Sequence, residues 1–569
     1  MKSNFLARSR IIFFCIAVFA FVLIGKLFLL QVVRSDAYSE RADHQYATPS
    51  SNIFERGTIY FSGKNGLVSG AMQTTGYKIA VNPEKLADKE KVYGELSGII
   101  SIDHDGFMAK ASKENDPYEE VADRLTKSQA DQISSLSIPG VSIFKEKWRF
   151  YPGGDLASQT LGFVAYKGND LAGRYGLERQ YEANLSRDKD SPYVNFFAEV
   201  FSNINDAFFQ SGAEEGDIIT SIDPSAQSFL EKTLSDVKEK YQVDSIGGII
   251  MNPMDGSIYA LSSKPDFDPN NFEKAKNPSS FANPLVENVL EFGSVVKPLI
   301  MAAGIDTGVV SADTTYDDKG SVIVDNKQIY NFDKKGRGVV NMQEVLSQSL
   351  NTGMVFVYKK LGKENLRNYL LSYGIKDKTG IDLPNETSGL VSNILTSPRD
   401  IEYANAAFGQ GIALTPVEMI RALASIANGG YLVVPHIVEK IKYNTGLEKN
   451  MVYDTKPVKF SKATAEEITR MLVNVMDKGV EGGKAKLDHY SVAVKTGTAQ
   501  VANNVSGGYY EDRHTHSFFG YFPAYDPKFI IFLYAVNPKG VPYAVQTWAD
   551  PFMSIVKFLI SYYEVPPDR

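Results

Sequence analysis

The longest hydrophobic run of the chain lies near its N-terminus, at residues 11–33, where Lys26 is the one charged residue. A helix of this length rises about 1.5 Å per residue and spans the ~30 Å hydrocarbon layer of a membrane. No Ala-x-Ala-like cleavage site follows the run, which disfavours a cleaved signal peptide. The flanking lysines and arginines favour a cytoplasmic tail over residues 1–10. We therefore expect a single-pass anchor in the cell membrane, with the rest of the chain extracytoplasmic.

The next part, residues 34–223, alternates short apolar stretches with turns and charged helical pieces. This pattern predicts a mixed α and β domain, and the domain contains none of the three Ser- and Lys-containing elements that are described below. The pattern changes at Asp217–Asp223, which predicts a strand whose last residue can cap a following helix. Pro224 suits the first turn of that helix, and hydrophobic residues then recur at helical spacing as far as Tyr241. A second large domain, residues 224–569, is therefore predicted.

Hydrophobic runs in this second domain predict further strands and helices. Residues 246–251 and 257–261 are apolar and are separated by the turn sequence Asn-Pro-Met-Asp-Gly, which predicts a hairpin. Helical patterns cover residues 342–361, 416–427 and 551–562, and strand patterns cover residues 491–494, 518–522 and 529–536. Short links between consecutive strands favour antiparallel pairing. We expect an α+β fold with an N-terminal transmembrane helix, a mixed domain, and a domain with one mainly antiparallel sheet flanked by helices on both faces.

Composition narrows the class of protein. The chain has 569 residues, 43% hydrophobic and 22% charged, which fits several globular domains rather than a disordered chain. The net charge of -7 and the lack of long Lys/Arg blocks argue against nucleic-acid binding. Cys15 is the single cysteine, so the chain can form no intrachain disulfide and no cysteine-rich metal site. His514 and His516 would share one face of a strand, but no cysteine or carboxylate motif accompanies them, so we expect no metal.

The stretch Phe292–Ile300 contains a candidate nucleophile and its base. Gly293 allows a tight turn and apolar helix formers follow, so Ser294 is predicted at a helix start, with Lys297 on the same face one turn later. A lysine can take the proton of a serine only if its pKa falls far below ~10.4, which burial or a second cation could cause. Two ammonium groups ~4 Å apart repel by roughly 4 kcal/mol at an effective dielectric constant of ~20, or about three pKa units. A second lysine is therefore expected.

Two further sequence elements make a catalytic interpretation of Ser294 and Lys297 more specific. Ser-x-x-Lys alone would more often be a capping serine beside a solvated lysine. Here Ser349-Leu350-Asn351 follows some fifty residues later, and Lys495-Thr496-Gly497-Thr498 lies in the C-terminal quarter. The three elements in this order are a specific signal. The chain resembles the penicillin-interacting serine acyltransferases, which include D,D-transpeptidases, carboxypeptidases and serine β-lactamases.

The resemblance implies a role for each residue of the first two elements. Ser294 would attack the carbonyl between two D-alanines of a peptidoglycan stem peptide, and Lys297 would take its proton. Ser349 would relay the proton to the leaving amine. Asn351 would steady the lysine and the peptide carbonyl of the substrate. Its position inside an apparently helical run disfavours the alternative of a turn asparagine.

The third element fits an edge strand beside the substrate cleft. Lys495 would supply a positive field and is the second lysine that a lowered pKa requires. Thr496 and Thr498 offer hydroxyls to a terminal carboxylate, and Gly497 leaves room for the substrate backbone. The resemblance further implies an oxyanion hole made of the backbone N–H groups of Ser294 and Thr498, worth roughly 3–4 kcal/mol per donor.

Residues before the catalytic elements are similar to one class within this family, the class B penicillin-binding proteins. Arg56–Tyr60 resembles a stretch that follows the anchor in that class, although Phe61-Ser62 stand where Asp-Arg is usual. Residues 149–157 and 173–178 resemble the non-catalytic pedestal, or dimerisation-like, module, and residues 408–416 add a match nearer the C-terminus. Arg149, Arg174 and Glu178 are expected to make structural ion pairs between domains. The resemblance thus covers nearly the whole chain.

The resemblance implies a membrane-anchored D,D-transpeptidase that is acylated by penicillins and needs no cofactor. The short pedestal and the form Lys-Thr-Gly-Thr-Ala-Gln look closer to the cell-division branch, which works in septal wall synthesis. The implied partners are peptidoglycan stem peptides, lipid-linked precursor strands, β-lactams, a polytopic membrane glycosyltransferase and division proteins.

Two other functions stay open on sequence grounds. A D,D-carboxypeptidase or β-lactamase needs an activated water for deacylation; Glu402 and Glu418 lie between the second and third elements, but in helical or family-like stretches. A penicillin-sensing receptor would need a signalling region, for which residues 1–10 leave little room. A scaffold protein without catalysis would be expected to have lost a catalytic residue, and none is lost.

Overall fold

A computed structural model describes residues 55–114, 116–167, 170–187, 215–503 and 507–569. The predicted anchor at residues 11–33 and the tail before it lie outside this part of the chain. Within the described ranges, no helix is both long and apolar enough to cross a membrane. The chain divides into two compact units, one of described residues 55 and 74–148, the other of residues 56–73 and 149–569. The domain limits 34–223 and 224–569 stay predictions.

The strands are β1 (Ile59–Gly63), β2 (Gly66–Val81), β3 (Glu119–Leu125), β4 (Val141–Phe150), β5 (Val164–Lys167), β6 (Asp170–Gly173), β7 (Gly216–Thr220), β8 (Ser245–Met251), β9 (Ile258–Lys264), β10 (Thr315–Asp318), β11 (Ser321–Val324), β12 (Lys327–Tyr330), β13 (Gly338–Asn341), β14 (Tyr431–Leu432), β15 (Val438–Tyr443), β16 (Glu448–Asn450), β17 (Lys456–Pro457), β18 (Ala493–Ala502), β19 (Tyr509–Phe522) and β20 (Phe529–Val536).

The α-helices are α1 (Lys89–Ser97), α2 (His104–Ala111), α3 (Lys127–Ser135), α4 (Ser158–Leu161), α5 (Gly176–Gln180), α6 (Glu182–Leu185), α7 (Pro224–Tyr241), α8 (Pro284–Glu287), α9 (Lys297–Asp306), α10 (Met342–Ser347), α11 (Asn351–Leu361), α12 (Lys363–Ser372), α13 (Ser392–Thr396), α14 (Asp400–Ala406), α15 (Pro416–Ala427), α16 (Lys462–Asn474) and α17 (Ala544–Tyr563). Short 3₁₀ turns cover Pro83–Lys85, Pro269–Lys274, Pro278–Phe281, Gly293–Val296 and Val480–Gly483, and a π-helical turn covers Val475–Gly479.

The smaller unit is built on the second half of β2. This part of the strand pairs antiparallel with β3, where Ala80 lies opposite Glu120. α3 begins with a capping box, in which the side chains of Thr126 and Gln129 bond each other's backbone N–H groups. The core is apolar and includes Ile79, Val81, Leu96, Phe107 and Ile133.

The larger unit contains a buried ion cluster close to where β1 begins. The carboxylate of Glu178 accepts from Arg56 and from Arg149, both at 2.6 Å, and is completely buried. Burial raises the pKa of Glu178, but the two guanidinium groups outweigh it and hold that pKa below its ordinary value. Arg149 and Glu178 thus form a structural ion pair, as expected, but within the larger unit rather than between domains. Arg174 differs from prediction, because it donates to the carbonyl of Tyr166 at 2.7 Å.

The central sheet of the larger unit has the order β18-β19-β20-β8-β9, and every neighbouring pair is antiparallel. On one face, Phe518 of β19 packs against Phe552 of α17, with ring centroids 4.5 Å apart. On the other face, Tyr521 hydroxyl lies 2.8 Å from that of Thr469 in α16. Residues an odd number apart on a strand point to opposite faces. The predicted antiparallel sheet with helices on both faces is confirmed.

The last helix is longer than its sequence pattern indicated. α17 begins at Ala544, and Pro551, which we expected in the first turn, lies inside it. An interior proline removes one helical hydrogen bond. Here Trp548 and Phe552 are both completely buried on either side of the proline, so packing against the sheet outweighs that loss. The prediction for 416–427 is confirmed, because α15 has the same bounds.

Candidate active site

Ser294 lies at the start of the helix that the sequence predicted. The 3₁₀ turn Gly293–Val296 passes directly into α9, so Ser294 is half-buried and Lys297 follows one turn later with its side chain completely buried. Gly293 has φ +64°, and its N–H donates to the carbonyl of Gly409 at 3.1 Å. A Cβ added there would lie 3.1 Å from the carbonyl oxygen of Thr498. Glycine thus permits both the turn and a close approach to β18.

The amine of Lys297 points at the turn between α10 and α11. Its Nζ donates to the carbonyl of Ser349 at 2.6 Å, to the hydroxyl of Ser349 at 3.3 Å and to Oδ1 of Asn351 at 2.8 Å. The hydroxyl of Ser294 is not among these acceptors within the described chain. Catalytic hydrogen bonds are often long without substrate and tighten when it binds. The structure therefore brings the first two sequence elements together around one amine.

The interruption between helices α10 and α11 explains why one turn supplies all three acceptors of the Lys297 amine. α10 ends at Ser347, Ser349 has φ +56°, and α11 begins at Asn351. The prediction that Asn351 lies inside a helical run is therefore wrong; it is the first residue of a helix. A left-handed residue other than glycine costs of order 1–3 kcal/mol and is typical of functional sites. Here that conformation lets the carbonyl and the hydroxyl of Ser349 face the same lysine.

Lys495 completes the cluster from β18. Its Nζ donates to the hydroxyl of Ser349 and to the carbonyl of Thr496, both at 3.0 Å, and the residue is 2% exposed. The hydroxyl oxygen of Ser349 has two lone pairs and can accept from both amines. Its own proton is then left to donate to a third group, which is what a relay to a leaving amine requires.

Burial is the main cause of the lowered lysine pKa values. It lowers the pKa of Lys495 to about 7. Burial also lowers the pKa of Lys297 well below its ordinary value, and the charge of Lys495 adds to that effect as the smaller cause. The second lysine expected from the sequence is thus present. Its repulsion supplements desolvation rather than replacing it.

β18 is the edge strand that borders the site, as the sequence predicted. Gly497 is required for a reason that the sequence did not show: an added Cβ would lie 2.3 Å from the carbonyl oxygen of Phe292 and 2.4 Å from Oγ of Ser517. The residue lets the strand pack against the segment before the candidate nucleophile. Thr496 and Thr498 are half-buried. The hydroxyl oxygen of Thr498 accepts from the N–H of Ala544 at 3.2 Å, so its own proton is free to donate to a carboxylate.

The histidine pair on β19 serves packing. Nδ1 of His516 lies 2.8 Å from the hydroxyl of Thr547 in α17. Burial, and secondarily the neighbouring His514, lower the pKa of His516 to about 4, so the ring is neutral at neutral pH. No group of three or more His, Cys, Asp or Glu side chains that could hold a metal ion occurs in the described residues.

The two glutamates considered as deacylating bases are both engaged. Glu418 caps α15, where its carboxylate accepts from the N–H of Thr415 at 2.9 Å and from the N–H of Gly389 at 3.0 Å. Glu402 forms an ion pair with Arg399. Both carboxylates therefore have structural partners in the described chain.

Sequence reasoning missed several polar residues behind the turn of Ser349. The carbonyl of Tyr330 accepts from Nδ2 of Asn351 at 2.9 Å. Asp318, Asn331 and Thr352 form a buried cluster next to it. These residues lie in short strands and at a helix start without a motif, so no signal in the sequence points to them.

The chain matches two descriptions of protein families. Residues 246–554 match the penicillin binding protein transpeptidase domain, and residues 53–196 match the penicillin-binding protein dimerisation domain. Stage V sporulation protein D of Bacillus subtilis (strain 168) is 30% identical over 565 residues, covering 97% of this chain and 85% of that protein. The peptidoglycan D,D-transpeptidase FtsI homolog of Mesostigma viride is 27% identical over 599 residues, covering 100% of this chain and 98% of that protein.

A solved structure shows the same fold. Penicillin binding protein 3 from Mycobacterium tuberculosis, complexed with aztreonam, superposes with a TM-score of 0.69 and 22% identity, covering 91% of this chain and 98% of that one. The transpeptidase match covers more than half of the chain and includes all three sequence elements. The chain therefore belongs to the class B penicillin-binding proteins and is a serine-type transpeptidase.

Proposed function

We propose that this protein cross-links peptidoglycan as a D,D-transpeptidase, through an acyl-enzyme formed on Ser294. The observation that carries the proposal is that the amines of Lys297 and Lys495 both donate to the hydroxyl of Ser349, while Oδ1 of Asn351 also accepts from Lys297, which lies one helical turn from the candidate nucleophile. A buried lysine with a lowered pKa can be neutral at physiological pH and accept a proton. A solvated lysine could not, because its pKa is ~10.4.

The chemistry follows from these positions. Ser294 Oγ attacks the carbonyl carbon between the two terminal D-alanines of a stem peptide, and its proton passes to Nζ of Lys297. The carbon–nitrogen bond then breaks, and the departing D-alanine amine takes a proton through the hydroxyl of Ser349. In the second half, the amine of a neighbouring stem peptide attacks the ester. Its excess proton returns along the same route, and Ser294 is released.

Substrate binding would use the edge strand. The hydroxyls of Thr496 and Thr498 are available to the terminal carboxylate, and the charge of Lys495 favours an anion there. β-Lactams present a carboxylate and a reactive carbonyl in a similar arrangement, so we expect penicillins to acylate the same serine. The aztreonam complex of a protein with this fold supports this expectation.

We also propose where the protein is located and in which process it acts. We place residues 11–33 in the membrane, with the tail in the cytoplasm and the catalytic unit outside, where peptidoglycan is. We assign the enzyme to septal wall synthesis with a polytopic glycosyltransferase and division proteins, on the form of its third sequence element and its short pedestal. A reporter that is active only in the cytoplasm, fused near Asp36, should be inactive; activity there would reverse the topology.

An exchange assay distinguishes transpeptidation from the alternative, D,D-carboxypeptidase or β-lactamase activity. The full-length protein is incubated with a stem peptide ending in D-Ala-D-Ala and with a labelled D-amino acid as acceptor amine. We expect the labelled exchange product from the wild type and none from Ser294→Ala. If the wild type released only the shortened acid, water rather than an amine would be the acceptor, and the protein would be a carboxypeptidase.

A further inference from the structure

A buried carboxylate lies behind the candidate site without an ion pair of its own in the described chain. Asp318, at the end of β10, is 2% exposed. Its oxygens accept from Nδ2 of Asn331 at 2.9 and 3.0 Å, from the hydroxyl of Thr352 at 2.7 Å, and from the N–H groups of Gly320 at 3.0 Å and Arg337 at 3.1 Å. A buried charge is costly unless hydrogen bonds compensate for lost water. Here donors surround the carboxyl group and compensate for the lost water.

Two of these donors, Asn331 and Thr352, are neighbours in sequence of residues that hold or carry the Asn351 amide. Asn331 follows Tyr330, whose carbonyl accepts from Nδ2 of Asn351 at 2.9 Å. Thr352 directly follows Asn351 at the start of α11. The carboxylate therefore holds the chain on both sides of the Asn351 amide.

Asp318 fixes the orientation of the Asn331 amide, because both of its oxygens accept from Nδ2 of Asn331. A carboxylate can only accept, so Asn331 must turn its Nδ2 toward it. Oδ1 of Asn331 then faces the N–H of Thr352, at 3.2 Å. The Thr352 hydroxyl donates to Asp318 at 2.7 Å, with Oδ1 of Asn331 as a longer second acceptor at 3.1 Å, and the hydroxyl of Tyr316 can donate to Thr352 at 3.1 Å. No other orientation of the Asn331 amide satisfies these partners.

The orientation of the Asn351 amide is fixed in the same way, and it determines which atom faces Lys297. Because Nδ2 of Asn351 is used by the Tyr330 carbonyl, its Oδ1 faces Nζ of Lys297, at 2.8 Å. A flipped amide would place a donor against an amine and lose both bonds. We propose that Asp318 is a positioning residue for acylation: through Asn331 and Thr352 it fixes the Asn351 amide and thereby places Lys297 for proton transfer. This inference rests on the proposed function of Ser294 and Lys297.

A double-mutant cycle tests whether Asp318 acts through Asn351. The rate constant for acylation by a fluorescent penicillin is measured for wild type, Asp318→Asn, Asn351→Ala and the double variant. We expect Asp318→Asn to slow acylation by roughly tenfold to a hundredfold, as misplacement of a catalytic group does. The double variant should be no slower than Asn351→Ala alone. Unchanged acylation by Asp318→Asn, or multiplication of the two effects, would overturn the proposal.

The pH profile separates positioning from a general loss of structure. Asn351 accepts from the protonated form of Lys297, so loss of that acceptor should lower the pKa of Lys297 further. The rising limb of the acylation rate should therefore move to lower pH in Asp318→Asn. A profile that is merely scaled down, with its limb in place, would mean that Asp318 serves folding only.

Asp382 provides a matched control. It is also a buried carboxylate, accepting from the N–H groups of Ile437 and Val438 at 2.8 and 2.7 Å and from the hydroxyl of Tyr181 at 3.2 Å, and none of its hydrogen bonds in the described chain reaches the site. Asp382→Asn should leave the limb and the acylation rate unchanged. If Asp318→Asn does not fold, Thr352→Val removes one bond of the cluster without changing charge and should move the limb in the same direction. Wild-type protein that is not labelled on Ser294 would contradict the proposed function itself, whereas a labelled wild type with a normal Asp318→Asn contradicts only this inference.

Discussion

Lys297 and Lys495 point their amines at one acceptor, the hydroxyl oxygen of Ser349, at 3.3 and 3.0 Å. Both lysines are buried, 0% and 2% exposed, so water screens their charges poorly. Two ammonium groups on one hydroxyl repel, and the pair therefore favours a single charge. With the pKa of Lys495 at about 7 and that of Lys297 well below its ordinary value, one amine is free to accept a proton at neutral pH.

Removal of the Lys495 charge should change the pH dependence of acylation. The rate rises with pH as Lys297 loses its proton, and Lys495 is the smaller of the two causes that lower the pKa of Lys297. In Lys495→Ala the pKa of Lys297 should rise, which moves the rising limb to higher pH. We expect a move of about one pH unit, less than the roughly three units that full repulsion at ~4 Å would give. Penicillin acylation measured from pH 5 to 10 gives the limb.

Lys495→Arg is the matched variant, because it keeps a positive charge at the same position. Its limb should stay close to that of the wild type, even if poorer fit slows the reaction. A limb that does not move in Lys495→Ala would show that Lys495 acts on the substrate carboxylate alone, and that burial accounts for the whole change in the pKa of Lys297.

Lys297→Ala should abolish acylation at every pH. The variant removes the proposed base, and no histidine lies in the three sequence elements to replace it. Lys264→Ala is a suitable control, since Lys264 lies on β9, at the opposite edge of the central sheet from β18. Labelling by fluorescent penicillin should persist in that control. Residual labelling of Lys297→Ala that increases with pH would point to a different base.

Gly497→Ala should impair both stability and acylation. The added Cβ would lie 2.3 Å from the backbone carbonyl of Phe292, so β18 or the segment before Ser294 must shift. A shift of this kind in a catalytic group can cost roughly a hundredfold in rate. Acylation rate and thermal midpoint are measured together, with Gly94→Ala in α1 as control, because nothing lies within 4 Å of a Cβ there. A Gly497→Ala protein with a wild-type rate would contradict this tight packing.

The three sequence elements were recognisable because the residues of each are close in sequence. One turn of helix or one strand is enough to bring such residues together. Ser294 and Lys297 share the helix start that Gly293 and the following apolar residues predicted. The edge-strand position predicted for the Lys-Thr-Gly-Thr element is confirmed by the strand order of the central sheet. Local spacing located the three elements, and the family resemblance supplied the roles proposed for their residues.

Features that depend on distant partners could not be predicted. Asp317 and Asp318 are adjacent and identical in type, yet the first is exposed and the second buried. Asp318 has two side-chain partners, Asn331 and Thr352, which lie 13 and 34 residues away in the sequence and follow no periodicity. The left-handed Ser349 was also unpredictable, because serine has no preference for that conformation, and this is why Asn351 was placed inside a helix instead of at its start.

Glu178→Gln should destabilise the larger unit. It removes the charge that two buried arginines share, and loss of one partner of a buried ion pair costs about 3–5 kcal/mol. The pKa of Glu178 is lowered in the folded protein, so its stabilisation is present above the ordinary carboxyl pKa of ~4.3 and is lost as pH falls through the folded value. Denaturant unfolding at pH 7 and at acid pH should show the wild type approaching the variant as the pH falls.

Glu564→Gln is the control for this experiment, because Glu564 pairs with Lys64 on the exposed surface. It should unfold like the wild type at pH 7. Equal stability of wild type and Glu178→Gln at pH 7 would contradict a structural role for the ion cluster.

The proposed mechanism depends on acylation of Ser294, which covalent labelling detects. Purified full-length protein is treated with a fluorescent penicillin, digested, and analysed by peptide mass spectrometry. We expect a single labelled peptide, modified on Ser294, and no label in Ser294→Ala. Label on another residue, or label that survives in Ser294→Ala, would contradict it.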